Sequence, residues 1–86
     1  MGRYLKEAER HAGQIAYYYD YAGPDGYQQA EYHFHKLSGL VGRAFASKND
    51  KADAVPIQAI FKRASEKMRE MARRRDEWRQ EHPPSS

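Results

Sequence analysis

The stretch AYYYDYAGPDGY, Ala16–Tyr27, decides the fold, with five tyrosines in twelve residues running into a Gly-Pro-Asp-Gly turn. It reads in two ways. Tyrosine favours strands and Pro-Asp-Gly suits a hairpin, which would make residues 15–35 a β-hairpin in an α+β protein. The residues on either side argue for helix instead. Leu5, Ala8, Ala12, Ile15, Tyr19 and Ala22 recur every three or four positions, straight through the tyrosines. That spacing lays them along one side of an α-helix. Beyond the turn, Gln28, Gln29, Ala30 and Glu31 are helix formers.

The same periodicity continues outward. Tyr27, Ala30, Phe34, Leu37, Val41 and Ala44 form a second stripe, widened by Leu40 and Phe45. Ile57, Phe61, Ala64, Met68 and Met71, flanked by Ile60, form a third. The reading is all-α: an antiparallel three-helix bundle with helices at about 3–22, 25–47 and 54–82. Asp25 with Gln28 resembles a capping box for the second helix. Asp53 is the expected cap of the third, with Pro56 in its first turn. Pro83 and Pro84 end it, and 83–86 read as a disordered tail. The third helix would be roughly 40 Å long and the first nearer 28 Å, at about 1.5 Å per residue. Its C-terminal turns should therefore overhang the others.

Composition narrows the class. Eighty-six residues make one domain, and Leu, Ile, Val and Phe total only eleven. So thin a core predicts that self-association or a partner adds burial, and a homodimer is one expectation. The absence of cysteine excludes disulfides and thiolate chemistry. No apolar run approaches a membrane span, and MGRYLKEAER lacks a secretory apolar segment, so no membrane partner and a cytoplasmic location are expected. The formal charge of +3 does not by itself imply nucleic acid.

Consecutive helical residues diverge by about 100°, so neighbouring tyrosines cannot share a face. Tyr19 lies on the core stripe and Tyr18 on its flank, beside Tyr4 and His11. Tyr17 and Tyr21 fall on the far side among Arg3, Arg10 and Gln14. Tyr32 also lies opposite the core, between Lys36 and Arg43. Tyr and Arg concentrate at interface hot spots because they bury large areas with little loss of rotamer freedom. A partner-binding surface of Arg10, Tyr17, Tyr21 and Tyr32 follows, with Arg75 and Trp78 as a separate anchor on the overhang. Gly39, Gly42 and Ala46 make a small-residue stripe on the outside of the second helix, suited either to a close helical neighbour or to a kink.

The basic end, MARRRDEWRQEHPPSS, supports two further readings. Glu66, Glu70, Asp76, Glu77 and Glu81 alternate with the arginines at ion-pair spacing, as on a solvated helix. The alternative is a nucleic-acid-binding arm of Lys62, Arg69, Arg73 and Arg74, interrupted by glutamates. Catalytic motifs are absent: there is no Ser-His-Asp arrangement and no phosphate-cradling glycine loop. His33 and His35 would diverge on a helix. Glu7 with His11 and Glu31 with His35 are i,i+4 pairs, but the paired Glu-x-x-His of di-metal bundles is missing. His33 is expected to flank the core and His11 to be polar surface. No metal, no cofactor and no enzymatic activity are expected.

The resulting functional reading is a small non-enzymatic module that binds another protein as regulator, adaptor or stoichiometric inhibitor. Cys-free helical inhibitors of this kind are common in phage and mobile-element genomes, anti-CRISPR proteins among them. A nucleic-acid binder and a structural homo-oligomer subunit are the alternatives.

Overall fold

The computed structural model describes residues 2–22, 26–48 and 51–83. Three helices account for almost all of them: α1 (Arg3–Tyr21), α2 (Gly26–Ala46) and α3 (Lys51–Glu81). No strand occurs among the described residues, so the hairpin alternative for 15–35 is overturned. Asp25 and Pro84, assigned to a cap and a stop, lie outside the described residues, as does most of the expected tail.

Each helix contributes the stripe that its periodicity marks out. Ala8 and Ile15 from α1, Ala30, Leu37, Leu40 and Ala44 from α2, and Ala54, Ile57, Ala64, Met68 and Met71 from α3 are buried. The largest fully buried side chains, Ile15, Leu37 and Ile57, come one from each helix. Burying each contributes about 1.5–3 kcal/mol. Phe34 and Phe61 stack beside this centre, with centroids 4.9 Å apart. Phe45 departs from expectation, for its position at the end of α2 leaves it exposed.

The helix ends explain the joins. α1 stops where Ala22 turns extended, with its N–H on the Tyr18 carbonyl at 3.1 Å. Gly26 opens α2 fully packed: a Cβ there would lie 2.4 Å from the Ala22 Cβ. Only glycine lets the two helix ends approach this closely. α3 starts at Lys51, ahead of the expected 54, so Asp53 lies in its first turn rather than at the cap. A carboxylate there still faces the positive end of the helix dipole. Pro56 is inside the helix, beyond its first turn.

The three helices pack pairwise on one another. Gly2 adjoins Asp53, and Arg74 of α3 reaches Tyr19 of α1. Tyr27, near the start of α2, meets Arg75, toward the end of α3.

Candidate functional site

Tyr17 and Tyr21 are successive turns of α1 on the side away from the core stripe. They are 55% and 78% exposed, and their rings touch at 5.4 Å between centroids. Tyr17 also meets Tyr18 edge-on at 5.5 Å. Tyr18 leans across the α1–α2 seam and stacks on His33 at 6.2 Å. His33 in turn receives the edge of Tyr32 at 5.2 Å, and Tyr32 is 58% exposed. The tyrosines singled out on separate helices thus belong to one run of touching rings: Tyr21, Tyr17, Tyr18, His33, Tyr32.

The run has a basic border. The Lys36 ammonium lies 5.5 Å from the Tyr32 centroid. Arg10, exposed on α1, is close enough to act electrostatically on both His11 and His33. Sequence reasoning missed the element that joins the two helices. His11, expected as polar surface, is half-buried and meets His33, their Nδ1 atoms 3.0 Å apart. One ring donates and the other accepts, which requires at least one neutral imidazole. Burial first, then the facing His33, then Arg10 hold His11 below its ordinary value, while Glu7 pulls the other way. Burial, then Arg10, lower His33 as well. The signal was present as two histidines on the flank of α1 and α2, but only the helix pairing brings them together.

The second anchor does not project as expected. The Arg75 guanidinium lies 4.2 Å from the centroid of Tyr27, so this cation is placed against the start of α2 rather than beyond it. Trp78 is 44% exposed and stacks on His82 at 4.5 Å. It helps line an open cleft of about 240 Å³ with Tyr18, Tyr19, Ala22, Tyr27, Met71 and Arg74. The structure therefore separates Arg75 and Trp78 from the Tyr17–Tyr32 face, with Tyr18 contributing to both surroundings.

The α3 cations differ in their engagement. Arg73 bridges Glu70 and Glu77, and these carboxylates raise its pKa. Hydrogen bonding from Arg73 lowers the pKa of Glu70. Arg74 pairs with Glu70 at 3.5 Å and donates to the Tyr19 carbonyl at 3.0 Å. Lys62 and Arg69 line a shallow groove with Val55, Phe61 and Glu66. The four do not form one free basic face.

No group of three or more His, Cys, Asp or Glu side chains gathers as a metal cluster among the described residues. No described helix is long and apolar enough to cross a membrane. No family model, curated protein or solved structure matches the chain.

Proposed function

We propose that this protein is a non-enzymatic binding module that engages another protein through the aromatic face shared by α1 and α2. It would act as a regulator, adaptor or stoichiometric inhibitor, the role that anti-CRISPR proteins exemplify. The observation that carries this reading is the unbroken run from Tyr21 to Tyr32. Three of its tyrosines remain more than half exposed, although the chain has few large apolar side chains to place. Such rings bury large area on contact at a small entropic loss, and exposed clusters of them mark interaction surfaces. Arg10 and Lys36 at the border suit a partner that carries carboxylates, which would speed encounter and set orientation.

The contacts also support an antiparallel, up-down-up course. Gly2 with Asp53 and Tyr19 with Arg74 run α1 alongside α3 in one direction. Phe34 with Phe61 and Tyr27 with Arg75 run α2 against them. That arrangement puts Tyr17 and Tyr32 on adjoining helices.

A tagged pull-down from source-cell lysate, with and without nuclease, tests the reading. A discrete protein retained after nuclease, and lost with Tyr17→Ala/Tyr21→Ala, supports it. Recovery that vanishes with nuclease moves the function to the cations of α3.

A further inference from the structure

We propose that the His11–His33 contact is a proton-operated latch on the aromatic face: it holds the run from Tyr21 to Tyr32 together while at least one ring is neutral, and lets it part when both are charged. The two Nδ1 atoms meet at 3.0 Å across the α1–α2 seam. At that distance one nitrogen carries the proton and the other offers its lone pair. A second proton removes the acceptor and leaves two cationic rings in contact, so repulsion replaces the bond. Tyr18 of α1 stacks on the His33 ring of α2, and Tyr32 sets its edge against the same ring. Movement of His33 away from His11 therefore divides the run where it crosses the seam. Tyr17, Tyr18 and Tyr21 stay together on α1, and Tyr32 stays on α2.

The surroundings oppose the second proton. Burial acts first at each ring. Arg10 of α1 adds to it at both, and Lys36 of α2 adds to it at His11, with Glu7 of α1 as the opposing carboxylate. These charged groups all belong to the two helices that form the seam. The latch is thus closed at neutral pH and opens in acid, below the ordinary histidine value of 6.5. Ile15 and Leu37 are fully buried and carry no charge, so α1 and α2 keep their core contact as the rings part. The change is confined to the side chains over the seam. Its consequence for a partner, held at neutral pH and released in acid, rests on the binding role proposed above for this face.

The test follows the free full chain by NMR from pH 7.5 downward, until the side-chain 15N signals show His11 and His33 both protonated. It needs no partner, so the latch and the binding role succeed or fail separately. NOEs from the His33 ring to Tyr18 and Tyr32 should be present at pH 7.5 and lost at the second protonation step. The backbone amide signals of Ile15 and Leu37 should persist through that step. Protonation of His35 and His82 should leave the NOEs unchanged. In His33→Gln, the ring signals of Tyr18 and Tyr32 should move far less across the same range. NOEs that survive in the doubly protonated chain would overturn the proposal. Loss of the Ile15 and Leu37 signals in the same step would also overturn it, because the change would then be unfolding of the core. The wild-type titration decides the matter even if the variant fails to fold.

Discussion

Arg74 ties the last turn of α1 to α3: its guanidinium donates to the Tyr19 carbonyl at 3.0 Å and lies 4.3 Å from the centroid of the Tyr19 ring. The Tyr19 carbonyl is one of the four that an α-helix leaves without a partner at its C-terminus. One cation thus satisfies an orphan acceptor and covers an aromatic face. Arg73, one residue earlier, makes exposed ion pairs with Glu70 and Glu77 within α3. Arg74→Ala should therefore destabilise the protein by about 1 kcal/mol, after allowance for its exposure. Arg73→Ala should leave stability almost unchanged, because its pairs are screened by solvent. Urea unfolding of the two variants checks the difference. Equal losses would show that the α1–α3 tie contributes nothing particular.

Glycine-to-alanine substitution should have opposite signs at two places on α2. At Gly26 a Cβ would collide with Ala22 at 2.4 Å, so the turn must open. A loss of about 1–3 kcal/mol is expected from such overpacking. At Gly39 and Gly42 an added Cβ meets nothing within 4 Å. There alanine should stabilise the helix by up to about 1 kcal/mol per site. Thermal melts at several protein concentrations measure both. Destabilisation at Gly39 or Gly42 that grows with concentration would mean a second copy closes on that stripe.

The three stripes were legible because burial follows helical spacing, and Ile15, Leu37 and Ile57 lie where that spacing puts them. The exposed sides of Tyr17, Tyr21 and Tyr32 were legible for the same reason. What joins them was not. Tyr18 and His33 are flank residues, and periodicity within one helix carries no information about which flank of α2 meets which flank of α1. The overhang misled for a related reason. Helix length shows that α3 outruns its neighbours, but only the register shows that Arg75 is still level with Tyr27. Asp53 was a sound cap by residue type, yet helix formation through Lys51 and Ala52 moved the start upstream.

Burial of the two rings, together with their facing contact, makes the protein sensitive to acid. Both His11 and His33 have folded-state values below the ordinary 6.5, so the unfolded chain binds protons more readily. Their contribution is fully present above about pH 6.5 and is lost as pH falls through the lowered values. Burial is the largest penalty on each charged ring; Arg10 adds to it at both, the facing His33 and Lys36 add to it at His11, and Glu7 relieves part of it at His11. Urea midpoints between pH 7.5 and pH 5 should fall, and His33→Gln should flatten that decline. An unchanged slope in the variant would assign the acid sensitivity to other groups.

The aromatic face separates folding from binding most sharply at Tyr17 and Tyr21. Neither belongs to the buried core, and their mutual contact is an exposed helical pair. Their joint replacement by alanine should change stability by less than about 1 kcal/mol and leave the helical circular dichroism intact. If the face docks a partner, each ring is a candidate hot spot, and the double variant should weaken binding at least tenfold, which is about 1.4 kcal/mol or more. That loss should persist at raised salt, because burial of aromatic area is not screened. A binding loss confined to low salt would instead point to Arg10 and Lys36 as the main contacts. Collapse of the helical signal would mean that the run from Tyr21 to Tyr32 supports the fold, and that the exposed rings are part of its structure rather than reserved for a partner.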